Sequence, residues 1–317
     1  MRRTIVFVFT VLVGWFTGSA QADSASALAT ATQKVTPAGK TASAPQRGTL
    51  YRVTYRGNTS YLFGTVHVGK TAFYPLEPQV TQALAAAKKL VIEVDIRNTE
   101  AMRQAIMRHG LYPEGQSINQ HLSADATAQL RQALRASGTP FESIARMKPW
   151  MVANLLLVQE MARSGFPTEQ GIELHFLAIA DQQKKKVQEL ETADYQLSLF
   201  DSMSDAEQEE YLVENLTELA SGEAMKKALE LINAWQTADA KALDAALLEM
   251  QKGDNASDRF LQKVLLDQRN PNMAKQVEAL LKTDKNSFVA VGALHLLGAK
   301  GVPSLLQQRG YQVQKLY

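Results

Sequence analysis

Three side chains in this sequence are of types suited to holding a divalent cation: His67, Glu93 and His295. Two neutral imidazoles and one carboxylate leave coordination positions open for a reactive water. A bound cation lowers the pKa of such a water toward neutrality and polarises a carbonyl. The spacing that singles out the histidines is Gly-x-x-His, which closes both Tyr-Leu-Phe-Gly-Thr-Val-His (61–67) and Val-Ala-Val-Gly-Ala-Leu-His (289–295). Each run is short, apolar and rich in β-branched or aromatic residues, so each is predicted to be a strand. Glycine at a strand end lets the backbone turn or approach a ligand closely. The histidine then falls just past that end, where open α/β sheets place their binding crevices.

Glu93 lies in Leu-Val-Ile-Glu-Val-Asp-Ile (90–96), predicted to be a further strand. Alternation puts Leu90, Ile92, Val94 and Ile96 on one face, with Val91, Glu93 and Asp95 on the other. A carboxylate between valines needs a cation or hydrogen-bond donors. A purely structural alternative stays open, with both histidines hydrogen-bonded in the core and Glu93 paired with an arginine. Other chemistries find little support. The chain has no cysteine, which excludes disulfides, thiolate metal sites and a cysteine nucleophile. It has no His-Glu-x-x-His helix, no Gly-x-Ser-x-Gly elbow and no phosphate-cradling loop. His109, His121 and His175 stand singly and read as structural, the lysines at 184–186 as a solvated helix end, and the methionines as core filler.

The elements that must position these groups are legible from pattern. Residues 1–22 read as an export signal, with Arg2 and Arg3, an apolar run over 5–16 and an Ala20-Gln21-Ala22 cleavage site. An uncleaved anchor needs roughly 20 apolar residues, more than this run supplies. Residues 23–47 are polar and lack aromatics, the composition of a disordered linker. These readings place the chain in the periplasm or outside the cell, with no stable membrane anchor after cleavage. Without Arg2 and Arg3, 32 basic residues balance 32 acidic ones, so no nucleic-acid footprint is present. The folded domain is expected over 48–317, starting with a hairpin that turns at Gly57-Asn58. Helices are predicted over about 79–89, 123–137, 149–163 and 169–183, then from Ser204-x-x-Glu207, a capping box, and on through 223–235, 240–251 and 256–282. A short strand is predicted over 186–191. The ending strand–helix–strand (287–293, 303–309, 311–316) makes part of the sheet parallel. The fold class is therefore α/β: a mixed, partly parallel central sheet flanked by helices, with a helical middle region as cap.

In order along the chain, the blocks 61–67, Val-Ile-Glu-Val-Asp (91–95), Lys-Pro-Trp (148–150), Gly-Ile-Glu-Leu (171–174), Leu-Glu-Thr with Gln196, Arg269-Asn270 and 289–298 resemble the TraB/GumN family, which includes the Tiki proteases. The resemblance spans about 50–317, and Gly310-Tyr311-Gln312-Val313 resembles the family's closing strand. It implies a fold similar to the erythromycin-esterase and ChaN group, with both Gly-x-x-His motifs facing one cleft and His67, Glu93 and His295 in a metal or active site. It also implies a metallopeptidase using Mn²⁺ or Co²⁺, with Zn²⁺ as a further candidate, acting on a peptide or protein substrate. Arg269 resembles the family's arginine, placed to stabilise developing negative charge, and Glu173 and Glu191 are candidates for a further ligand or the general acid/base. Relatives also leave open a non-catalytic binding protein for a peptide or haem-like ligand, and a role on glycans or carbohydrate esters. Shared fold does not fix the reaction.

Overall fold

The computed structural model describes residues 45–283 and 286–317; the predicted export signal and linker residues 23–44 lie outside the described residues. Arg47, assigned to the linker from composition, is buried, and its guanidinium donates to the carbonyls of Ala72 and Pro75. The chain then enters β1 (Leu50–Tyr55), which pairs antiparallel with β2 (Asn58–Thr65). Tyr55 faces Asn58 across the hairpin, so the two-residue turn is Arg56-Gly57, one position earlier than predicted. Both turn residues have positive φ (48° and 83°), the twist that a tight hairpin favours, and glycine takes the second of these positions without strain.

The remaining strands are β3 (Lys89–Ile92), β4 (Lys186–Glu189), β5 (Asn286–Gly292) and β6 (Gln312–Lys315). They form one mixed sheet in the order β4-β3-β5-β2-β1-β6. Parallel pairing joins β4 to β3, β3 to β5 and β5 to β2, while β1 is antiparallel to both its neighbours. The closing strand–helix–strand is thus a parallel unit as expected, yet β2 and β1 lie between its two strands. The strand predicted over 90–96 stops at Ile92, and within it alternation holds. Leu90 and Ile92 face one core with Phe63 and Phe288, whereas Val91 faces another with Val289, Val291 and helix Asn270–Thr283.

Capping chemistry sets several helix ends. The Ser123 side chain accepts from Ala126 N at 3.2 Å to start Ala124–Ser137, and Gly138 ends that helix in the left-handed region. Ser204 and Glu207 form the reciprocal capping box that opens Asp205–Ser221. One predicted helix is broken. The continuous helix expected over 256–282 is a short α segment (Ala256–Phe260), a π-helical stretch (Leu261–Gln268) and helix Asn270–Thr283, with Arg269 at the junction. A π insertion keeps helical periodicity on both sides, so the apolar pattern conceals it. Helices Glu223–Gln236 and Ala240–Lys252, together with the π stretch, form the lid of the cleft described below.

Near the entry of the domain, Glu77 is buried and precedes helix Pro78–Ala86. Burial pushes its carboxyl up to about 7 against the pull of Arg47. A carboxyl raised on folding binds a proton that the unfolded chain has already released, so stability falls as pH rises from about 4.5 through about 7. Glu77→Gln is expected to remove that part of the decline, raising the urea midpoint at pH 7.5 and leaving it unchanged at pH 4. Parallel wild-type and variant curves across this window would dismiss Glu77 as the source.

Candidate active site

Each candidate group from the sheet stands just past the C-terminal end of a parallel strand. His67 follows β2, Glu93 follows β3, Glu191 follows β4 and His295 follows β5. Parallel pairing puts these ends on one edge, which is how residues far apart in sequence meet. The backbone ladder runs on past β3 and β4, with Glu191 N donating to Glu93 O at 2.9 Å, and this sets the two glutamates side by side.

The two motif glycines do different things. A Cβ on Gly64 would lie 3.0 Å from both Ala293 Cα and Thr49 Cγ2, so the first motif's glycine lets the second motif pack against it. A Cβ on Gly292 would instead lie 3.3 Å from Glu93 Oε1, 3.6 Å from His295 Cδ2 and 3.7 Å from His67 Nε2. The missing side chain of Gly292 is the space on which the three candidate groups converge.

Glu93 is buried, and both its oxygens are held. Gly292 N donates to its Oε1 at 2.6 Å, and Arg269 Nη2 donates to its Oε2. Arg269, only 4% exposed, also donates from Nε and Nη2 to Glu191 at 2.7 to 3.1 Å. Gln196 bridges the same two carboxylates, donating to Glu93 Oε2 at 3.2 Å and to Glu191 Oε2 at 2.9 Å. Burial opposes ionisation of Glu93, but Arg269 and the neighbouring imidazoles outweigh it, and its carboxyl is held well below the usual range. Burial likewise opposes the charge on Arg269, and the two glutamates hold it fully protonated. Glu93 thus has both of the partners expected as alternatives, a cation and donors, the arginine pairing being the one the structural alternative foresaw, and Arg269 is enclosed in the cluster and not on a helix surface.

The imidazoles are oriented from behind. His67 Nδ1 lies 2.8 Å from Glu173 Oε1, which also accepts from Thr65 Oγ1. His295 Nδ1 lies 2.6 Å from Asn270 Oδ1. Asn270 Nδ2 is committed to Lys300 O at 2.9 Å, so its oxygen must accept and His295 must carry its proton on Nδ1. His295 thus keeps Nε2 unprotonated, and that atom stands 3.8 Å from Glu93 Oε1. Burial and Arg269 hold the His295 pKa down to about 3, so its lone pair is available throughout the neutral range. Burial also disfavours protonated His67, but Glu173 more than compensates and its pKa is raised.

The donor set fits a divalent cation in kind. His67 Nε2, His295 Nε2 and Glu93 Oε1 are the atoms that could hold such an ion, and Glu173 and Asn270 lie at the other ring nitrogens, where ligating histidines need an acceptor. The geometry is looser than the chemistry: among the described residues, no group of three or more His, Cys, Asp or Glu side chains is drawn together as a ready-made cation site. The groups stand at the polar end of a partly open cavity of about 80 Å³. His67, with 17% of its side chain exposed, lies at its wetter side.

Asn270 carries a role that was not read from the sequence, although it adjoins Arg269 in one block. The signal was the need of a buried histidine for an acceptor at Nδ1. The other three histidines fall outside this cluster. His109 contacts Asp194 and Asp201, His121 stacks on Tyr112, and His175 packs against Tyr74.

Comparison with known proteins gives the arrangement its context. An uncharacterized protein YbaP of Shigella flexneri is 26% identical over 274 residues, which cover 84% of this chain and 97% of the relative. Metalloprotease TIKI2 of Xenopus tropicalis is 25% identical over 303 residues, covering 80% of this chain and 57% of the relative. Metalloprotease TIKI1 of Homo sapiens is 24% identical, covering 82% and 60%. No solved structure matches. The family model described as the TraB/PrgY/gumN family matches residues 49–315, and the chain belongs to that family.

Proposed function

We propose that this protein is an exported metal-dependent hydrolase acting on peptide bonds, with His67 Nε2, His295 Nε2 and Glu93 Oε1 holding Mn²⁺, Co²⁺ or a similar divalent ion. The observation that carries the reading is the tautomer of His295, set by Asn270, beside a glycine whose missing side chain leaves the ligand atoms a common space. The names of the distant metalloprotease relatives support it. A bound divalent cation supplies an activated water and polarises the scissile carbonyl.

The chain's own residues do the rest. Glu173 accepts the Nδ1 proton of His67 and makes Nε2 the more basic nitrogen, so that Nε2 is the atom a cation, or in its absence a proton, takes. Gly292 N–H and Arg269 share the charge of Glu93, which holds one carboxylate oxygen toward the cleft. Arg269 commits Nε and Nη2 to carboxylates, and its charge, fixed in a water-poor site, stabilises negative charge developing nearby. Glu191 holds Arg269 in place.

Titration of the purified chain with Mn²⁺ or Co²⁺ in a calorimeter is expected to give one site. His67→Ala and His295→Ala should each abolish it, and Glu173→Gln should weaken it by about 10- to 100-fold. Hydrolysis of a peptide library in the same ion should disappear with the site. A library left uncut beyond the His67→Ala control would overturn the peptidase reading, and retained ligand binding would then favour a non-catalytic receptor.

A further inference from the structure

The cavity beside the histidines has walls that the chemistry at its polar end does not require. Leu231, Ile232 and Trp235 come from helix Glu223–Gln236, Leu243 from helix Ala240–Lys252, and Leu265 and Leu266 from the π stretch. Its polar side chains belong to the end formed by Thr65, His67, Glu93, Arg269 and His295. Trp235 spends its single donor on Gly64 O at 2.7 Å, so toward the chamber it is an apolar ring. Ile232, Trp235, Leu243, Leu265 and Leu266 are buried, whereas Leu231 is partly exposed. A preformed apolar chamber ending in a few convergent polar groups is the form of a specificity pocket.

We propose that this chamber receives one side chain of the substrate beside the scissile bond, and that it selects an uncharged aliphatic or aromatic group of leucine size or larger. The proposal rests on the peptide-hydrolase reading above and adds its substrate class. A charged side chain entering the chamber meets no partner and loses its hydration. A small one leaves apolar wall unfilled, and each methylene difference in such a pocket changes selection by about 10-fold or more. Leu231 is the residue to alter, because its partial exposure lets its size change without opening the core.

The test uses blocked tetrapeptides Gly-X-Gly-Gly with X as Leu, Phe, Ala, Asp or Lys. Binding to the metal-free full chain is read by saturation-transfer NMR, which needs no turnover, and cleavage is read separately in Mn²⁺. Leu and Phe peptides are expected to bind at least about 10-fold tighter than the other three. Leu231→Trp should erase the Phe preference and Leu231→Ala should enlarge it, both with unchanged melting temperature and unchanged Mn²⁺ binding. Equal binding of all five peptides, or a ranking untouched by both variants, overturns the chamber assignment. Selective binding of Leu and Phe without any cleavage supports the chamber and refutes the hydrolase. Cleavage indifferent to X does the reverse.

Discussion

Arg269→Met is expected to lower the free energy of unfolding by about 3–5 kcal/mol, the loss typical of a buried ion cluster stripped of one partner. The guanidinium is 4% exposed and is the only cation bonded to Glu93 and Glu191 among the described residues. Removing it leaves two buried carboxylates that share only the Gln196 amide and the Gly292 N–H. Methionine keeps most of the volume, so the loss reports charge and not a cavity. Adding Glu93→Gln and Glu191→Gln to Arg269→Met should restore most of the stability, because neutral amides no longer need the counter-charge. The triple variant should still neither bind the divalent ion nor hydrolyse peptide. Urea unfolding of the three proteins checks this, and a single-variant loss under about 1 kcal/mol would place the cluster in effective contact with water.

Gly292→Ala is expected to separate the site from the fold. The residue has φ −50°, which any amino acid adopts, and the contacts awaiting a Cβ are side-chain atoms and not backbone. Stability should therefore change by no more than about 1 kcal/mol. Divalent-ion affinity should fall at least about 100-fold, as a methyl 3.3 Å from Glu93 Oε1 occupies the space between the proposed ligands. Gly64→Ala should show the opposite profile, with a stability loss of about 1–3 kcal/mol before any specific effect on binding, because its Cβ meets backbone at 3.0 Å. Melting curves paired with calorimetric titration distinguish the two, and equal behaviour of both variants would contradict the division of labour between the motifs.

The parts of this arrangement governed by local rules were legible in the sequence. Apolar runs ending in Gly-x-x-His announced two strands and the edge they share, and a lone carboxylate after Leu-Val-Ile announced a buried partner. The Ser204-x-x-Glu207 box marked its helix start. What escaped depends on tertiary contact. The turn at Arg56-Gly57 differs from Gly57-Asn58 by one residue, a difference decided by the cross-strand register. The π stretch at Leu261–Gln268 keeps its leucines at spacings that an α-helix accepts equally, so nothing local marked the break before Arg269. Nothing local singled out the Leu231 and Leu265 side chains, because a cavity wall and a core contact make the same demand of a side chain. Asn270 was visible as part of a block but silent as to its partner.

The π stretch carries a consequence for how such a protein changes over evolutionary time. Leu265 and Leu266, which bound the chamber, and Arg269, which neutralises Glu93, ride on the same few residues. Deleting one residue there would return the wide turn to α-helix and change the direction in which the side chains at that turn face. The chamber wall would recede and the guanidinium would leave its carboxylates in a single event. Pocket breadth and cluster neutrality are thus inherited together, and new preferences are more readily reached by substitution on helix Glu223–Gln236, which faces the chamber without holding the charge.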